Sequence, residues 1–308
     1  MLKESHSLIA KLQKNKILIW FLILTITILW GYAWVLMKEA LAYMGPFTFS
    51  SFRFGVGSIT LVLIVLLSKK GLPPKRYWRQ LVILGILQTS IVFLLVMYGL
   101  RFVDAGKSSV LLYSMPMWSS ILAVKFLDEK FTPAKFLGLF IGMIGLLTVL
   151  GWDIWVGQSF DVIFGEILII IAAISWGVSN IFYRVNLNGL SQLQVNAYQM
   201  LFGTIGIIAV TLFAEWGQPV QLNMHSIYYI LFTGVLASAL CFTVWFLILS
   251  IIDMVSATLS TLLVPIFGLV LSSFILGETM SAGVVAGSGL IIIGIVVSQI
   301  SKKHPRRI

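Results

Sequence analysis

Charged residues are the scarcest class in this sequence of 308 residues. Asp, Glu, Lys and Arg together make up 10% of the chain, whereas a soluble domain averages about 25%. Hydrophobic residues account for 59%, and so few charges could not cover the surface of a soluble protein. A lipid bilayer is the solvent that suits this composition.

Cysteine and histidine are almost as scarce. The single cysteine, Cys241, excludes a disulfide within the chain. His6, His225 and His304 lie outside the apolar runs or at their edges, and no group of His, Cys and carboxylates has the spacing of metal ligands. The sequence therefore predicts no metal and no cofactor.

Carboxylates are missing from the middle of every apolar run. Proton-driven carriers usually bury Asp, Glu or His in their pathway, so this absence favours facilitated diffusion, exchange or coupling through an unusual group. A membrane-embedded enzyme, the alternative from another class, needs a nucleophile with its base, a metal cluster or a carboxylate pair. None is visible, and no catalytic residue is predicted.

Apolar runs of about 20 residues are long enough to cross a bilayer as helices. The sequence predicts an all-α integral membrane protein with ten such spans, near 17–40, 46–67, 80–102, 106–127, 133–151, 165–186, 191–214, 226–250, 255–276 and 282–300. If the N-terminus is cytoplasmic, seventeen of the 21 lysines and arginines flank the spans on the inner side and three on the outer side. This bias predicts a multi-pass protein of the plasma (inner) membrane with both termini cytoplasmic. It also explains the net charge of +10 without a nucleic-acid partner.

The sequence repeats itself in two halves. Trp30-Gly31 recurs 146 residues later as Trp176-Gly177. Further matches continue at an offset of 149: Gly85 with Gly234, Asp104 with Asp253, Pro116 with Pro265, Glu129 with Glu278, and Gly138 with Gly287. We predict five-helix repeats over 1–152 and 165–300, followed by a basic cytoplasmic tail over 301–308. Five is an odd number, so the second half enters the membrane inverted, as in many secondary transporters.

These motifs, in this order and doubled, are shared with a known family. They are Trp30-Gly31 with Lys38, Arg53, Pro116, Asp128-Glu129-Lys130, Ser175-Trp176-Gly177, Pro265 and Gly277-Glu278. The chain resembles the drug/metabolite transporter superfamily in its EamA-type branch of ten-helix carriers. It departs from the family at Asp128, where glycine is common, and at Gln199, which takes the position equivalent to Arg53. The resemblance implies alternating access around a cavity lined by spans one, three, four, six, eight and nine, and export or exchange of amino acids or related metabolites.

Three basic residues are candidate anchors or gates. Arg53 lies about 7 residues into the second span, roughly 10 Å from its outer end, where a charge costs several kcal/mol unless it is paired. It is either an anchor for a substrate carboxylate or a structural arginine tied to Glu39, Asp104 or helix-end carbonyls. Lys38 and Arg184 lie at equivalent ends of the first and sixth spans, either as gate residues or as cations that complement helix C-termini.

Aromatic and amide side chains share faces of the predicted helices. Asn180 is polar at membrane depth, so it faces protein or water, either in the pathway or in a hydrogen bond between helices. The predicted substrate-binding residues are Trp30, Trp34, Gln88, Tyr98, Tyr113, Trp176, Asn180, Tyr183, Trp245 and Thr258. Pro116 and Pro265 are predicted to kink helices around the cavity.

An exporter of drugs or quaternary amines is the alternative within transport, because aromatic faces attract cations. The missing central carboxylate counts against it. The partners predicted from the sequence are a small-molecule substrate and the lipid bilayer.

Overall fold

The predicted all-α architecture is confirmed. A computed structural model describes residues 16–127, 132–155, 157, 159–187, 189–249 and 261–299, and within these ranges it contains no strand. We number the helices by span: α1 Lys16–Ala40, α2 Pro46–Leu67, α3 Lys75–Gly99, α4 Ala105–Phe126, α5 Pro133–Trp155, α6 Phe160–Asn186, α7 Gln192–Ala214, α8 224–249, α9 Leu263–Leu276 and α10 Ala282–Gln299.

Seven of these helices, α1 to α4 and α6 to α8, are long and apolar enough to cross a membrane. The other three contain shorter apolar stretches, Pro133–Val149, Leu263–Leu276 and Ala282–Val297. The exterior is apolar as well, and Phe213 on α7 is 93% exposed. Such a surface is stable only against lipid, which confirms a multi-pass membrane protein.

Two helices contain π-helical segments at equivalent places in the two halves. The segment in α3 is Ile86–Ile91 and the segment in α8 is Phe232–Leu240. A π segment shifts hydrogen bonds from i→i+4 to i→i+5 and is frequent at functional sites. The same two helices carry the paired glycines Gly85 and Gly234.

Those glycines lie where helices from opposite halves cross. A Cβ on Gly57 of α2 would lie 2.9 Å from the carbonyl oxygen of Gly234 on α8. A Cβ on Gly203 of α7 would lie 2.5 Å from the carbonyl oxygen of Gly85 on α3. The backbones therefore approach closely at both crossings, as small residues allow in membrane helices.

Helix α4 is broken in the middle. Its pieces are Ala105–Leu112 and Met115–Phe126, and Tyr113 and Ser114 form the turn between them. Pro116 is the second residue of the second piece, in the first turn, where a backbone N–H would have no partner within the helix. Pro265 is the third residue of α9 and is buried.

Candidate functional site

A cavity of about 450 Å³ lies between the helices, within the usual range for small-molecule sites. Eleven of the residues singled out from the sequence line it: Trp30, Trp34, Arg53, Gln88, Tyr113, Pro116, Trp176, Asn180, Tyr183, Arg184 and Trp245. Helices α2, α5 and α7 contribute to the lining in addition to the spans implied by the family resemblance. Within the described residues, no Asp or Glu lines the cavity.

Trp30 is the centre of an aromatic wall. Its ring meets Trp245 edge-on, with centroids 6.0 Å apart, and lies 5.3 Å from the Phe242 ring. Its indole N–H donates to the carbonyl oxygen of Ala237 at 2.9 Å, inside the π segment of α8. Both contacts hold the ring in place, so this wall is preformed.

Asn180 joins α6 to the second piece of α4. Its amide nitrogen lies 3.3 Å from the hydroxyl oxygen of Ser119 and 3.3 Å from the sulfur of Met115. Both neighbours also line the cavity. The side chain therefore borders the cavity and also makes a contact between helices.

Arg53 is buried, with 6% of its surface exposed. Its guanidinium lies over the rings of Phe54 and Phe93, 4.8 and 4.9 Å from their centroids. Nε donates to the hydroxyl of Ser238 at 3.3 Å, and Nη1 lies 2.8 Å from the sulfur of Met37. Among the described residues, its polar contacts include neither a carboxylate nor a helix-end carbonyl.

Gln199, the repeat partner of Arg53, makes the equivalent contact in the other half. It accepts a hydrogen bond from the hydroxyl of Thr89 at 2.8 Å, and Thr89 lies 149 residues before Ser238. Its own amide nitrogen donates to the Asn196 oxygen at 3.0 Å. Each π segment therefore supplies one hydroxyl to one member of the Arg53/Gln199 pair.

Asn196 was missed by the sequence analysis. It lines the cavity, is 6% exposed, and its amide nitrogen has no hydrogen-bond partner within the described part of the chain. The signal was present, because an amide inside an apolar run must face protein or water.

Other predicted residues lie elsewhere. Tyr98 does not line the cavity, and its ring stacks on Phe47 at 5.8 Å. Lys38 also lies outside the lining, and its ammonium donates to the carbonyl oxygens of Leu100 at 2.6 Å and Val103 at 2.8 Å, beyond the end of α3. Thr258 falls outside the described residues.

Helix ends are fastened together at one face, which we call the closed face: the ends of α1, α3, α7 and α9 and the starts of α2, α4 and α6. Glu215 accepts from the backbone N–H groups of Phe47 at 3.0 Å and Thr48 at 2.7 Å, at the start of α2. Glu278 accepts from those of Ala105 at 2.7 Å and Gly106 at 3.0 Å, at the start of α4. Carboxylates are favourable at helix N-termini.

Further charges lie at this closed face. Lys107 of α4 and Glu166 of α6 form a buried ion pair. Between α3 and α4, burial and the neighbouring Glu278 carboxylate raise the pKa of Asp104, while Lys38 and Lys107 act in the opposite direction. These contacts link helices of both halves on one side of the cavity.

The opposite face is open. Arg184, near the end of α6, is solvent-exposed and lines the cavity. Lys135 near the start of α5 and Gln192 at the start of α7 line the same end. The cavity therefore reaches the surface at this face, which we call the open face.

Known proteins share this sequence pattern and fold. The sequence matches the EamA-like transporter family over residues 17–151 and again over 163–299. The uncharacterized transporter YoaV of Bacillus subtilis strain 168 is 30% identical over 278 residues, covering 90% of this chain and 94% of YoaV. A WAT1-related chloroplastic protein of Arabidopsis thaliana is 23% identical over 283 residues, covering 90% of this chain and 68% of that protein. A protein of known crystal structure, 17% identical, has the same fold with a TM-score of 0.63, covering 92% of this chain and 98% of the other.

The doubled sequence match and the cavity between the helices are both typical of a membrane transporter. The chain belongs to the EamA-like transporter family, which confirms the resemblance seen in the sequence. It is a multi-pass membrane transporter.

Proposed function

We propose that the chain is a ten-span secondary carrier of small metabolites, either amino acids or related compounds. It works by alternating access in the plasma membrane, as an exporter or an exchanger. The seven long helices and the shorter α5, α9 and α10 supply the ten spans, with the second half inverted relative to the first. Both termini are then cytoplasmic, and the open face is the cytoplasmic one.

The cavity is the observation that carries this proposal. It is lined from both halves, reaches the surface at the open face, and is separated from the other side by the fastened helix ends of the closed face. A carrier caught with access to one side has this form. Exchange of conformations between the two halves would open the closed face and shut the open one.

Export of quaternary amines is a second candidate, favoured by the aromatic wall around Trp30. Such rings attract cations. The guanidinium of Arg53 in the same cavity opposes it, because a permanent positive charge there repels a cationic substrate.

The test is efflux from liposomes that contain the purified protein. They are loaded with a mixture of amino acids, the corresponding hydroxy acids and one quaternary amine, and the released compounds are measured by mass spectrometry. We expect release of amino acids or hydroxy acids well above that from protein-free liposomes. If protein shown to be folded releases neither, the proposed function is wrong, and release of the quaternary amine alone would favour the second candidate.

A further inference from the structure

The charge of the cavity points to a more specific substrate. Arg53 brings a permanent positive charge to its wall, and its polar contacts among the described residues are a hydroxyl and a sulfur, Ser238 and Met37. A buried charge without a counter-ion is costly. A bound anion would remove that cost, and the guanidinium geometry fits a carboxylate.

Asn196 supplies a second, independent observation. Its amide oxygen is occupied by Gln199, whose own oxygen is occupied by the hydroxyl of Thr89. The chain of hydrogen bonds thus leaves the amide nitrogen of Asn196 as a buried donor without a partner among the described residues, on a residue that lines the cavity. Such a donor needs an acceptor, which an oxygen of a ligand or of a water in the cavity can supply.

Arg53 and Asn196 come from different helices, α2 and α7, and both line the cavity. The guanidinium of Arg53 lies over the ring of Phe93 on α3. Asn196 is linked to the same helix through Gln199, which accepts a hydrogen bond from Thr89.

The described lining of the cavity offers no opposite charge to a positive group. No described residue that lines the cavity is Asp or Glu, so the ammonium of an amino acid would meet no opposite charge there. Its partners would be neutral: hydroxyl and amide oxygens such as those of Ser120 and Gln88, and the aromatic wall, all of which attract a cation less strongly than a carboxylate does.

We propose that the cavity is a carboxylate site for organic acids of net negative charge, which it prefers over zwitterionic amino acids of the same shape. Arg53 binds the carboxylate, Asn196 donates to it, and the aromatic wall covers the apolar part. This inference rests on the proposed transport function and names its substrate class.

Matched pairs of substrates test the preference. Uptake into liposomes containing the protein is measured for lactate against alanine and for 2-hydroxyisocaproate against leucine. We expect the hydroxy acids to be transported with a kcat/KM at least about tenfold higher. Equal or faster transport of the amino acids would overturn the carboxylate preference and leave the proposed carrier intact, whereas transport of neither class by folded protein would overturn both.

Variants test the two donors. Arg53→Gln places at this position the residue that its repeat partner already holds, so the fold should accept it, and we expect hydroxy-acid uptake to fall at least about tenfold. Arg53→Lys should keep part of the hydroxy-acid uptake, because lysine preserves the positive charge. Asn196→Leu should raise the KM several-fold with little change in kcat, and Asn196→Asp should raise it further by repulsion.

The matched control is Asn186→Leu, since Asn186 lies outside the cavity lining and donates to the carbonyl of Phe182. Its KM should stay at the parent value. If Arg53→Gln and Asn196→Leu, both folded, transport hydroxy acids like the parent, the assigned site is wrong.

Discussion

A single difference between two equivalent positions places a buried charge in the cavity wall. Arg53 and Gln199 lie 146 residues apart, and each contacts a hydroxyl from the π segment of the opposite half. One position carries a permanent charge and the other a neutral amide. The fold is therefore close to symmetric at these two residues, while the electrostatics of the cavity are not.

Asn180 and Trp176 are predicted to act through the cavity rather than through packing. Asn180→Ala removes a polar group whose contacts are 3.3 Å long, so we expect the KM for a transported substrate to rise about three- to tenfold. Trp176→Ala should raise it at least as much. Transport kinetics in liposomes and thermal unfolding in detergent measure the two effects separately.

The control for this pair is Asn186→Ala, on the same helix but outside the cavity lining. It should leave the KM unchanged. A loss of thermal stability in Asn180→Ala with unchanged transport would assign the residue to helix packing instead.

At the scale of elements, the crossings of α2 with α8 and of α3 with α7 position the site. Each brings two backbones together at glycines, next to a π segment and next to Arg53 or Gln199. The distance between these helices therefore fixes where the guanidinium and the amides lie.

Substitutions at two glycines of α2 test the close approach of α2 and α8. A Cβ added to Gly57 would lie 2.9 Å from the carbonyl oxygen of Gly234, which is too close. A Cβ added to Gly55 would have no heavy atom within 4 Å. We expect Gly57→Ala to lower the free energy of unfolding by about 1–3 kcal/mol and to reduce transport, since Ser238 moves away from Arg53. Gly55→Ala should be neutral or slightly stabilising, because alanine favours helix by up to about 1 kcal/mol. Thermal unfolding in detergent compares them, and equal stability of the two variants would contradict the close crossing.

The sequence predicted the helices and much of the cavity because both follow from solvation. Apolar runs locate the spans. Asn180 is polar at membrane depth and therefore avoids lipid, and Trp176 shares its face of α6. Trp30 holds the equivalent position on α1. Tyr98 lies outside the cavity lining although Gln88 lies within it, and the π segment Ile86–Ile91 changes the phase of α3 between them. The residue pattern of the sequence does not predict an i→i+5 segment. The role of Lys38 depended on carbonyl groups about 60 residues away, at Leu100 and Val103, which periodicity cannot locate.

The whole molecule is asymmetric across the membrane. At the closed face, Glu215, Glu278 and Lys38 tie together the ends of six helices. At the open face, the cavity reaches the surface beside Arg184. If the proposed alternation opens the closed face, it must break charge-assisted hydrogen bonds, and those bonds then favour the state in which the open face is accessible.

Glu215→Gln should shift that balance. In the glutamine variant, an NH₂ group replaces one of the two oxygens that accept hydrogen bonds at the start of α2. The contact is then weaker, so the closed face should open more often. The measurement is the rate at which a membrane-impermeant maleimide, added from the closed face, labels Leu112→Cys in a Cys241→Ala background. Leu112 lines the cavity and is buried, and we expect labelling to become about tenfold faster.

Asp161→Asn is the control for this measurement, because Asp161 is exposed in the first turn of α6 at the same face. It should not change the labelling rate. Equal rates in Glu215→Gln and the parent would show that this carboxylate does not hold the face shut.

The charge bias predicts the orientation of the whole molecule. Cysteines introduced as Ser5→Cys and His304→Cys should resist an impermeant thiol reagent in intact cells and react after permeabilisation. Both termini on the same side require an even number of spans. Labelling of one site without permeabilisation would overturn the count of ten, and labelling of both would invert the orientation.

The paired π segments also bear on the ancestry of the chain. A π turn holds about one residue more than an α turn, so the insertion of one residue into a helix can produce it. Ile86–Ile91 and Phe232–Leu240 occupy equivalent places in the two halves. One insertion in a five-helix ancestor, copied when its gene was duplicated, explains both more simply than two separate events. A five-helix relative that assembles in pairs should then carry the same segment in its third helix, and a regular α-helix there would date the insertion after the duplication.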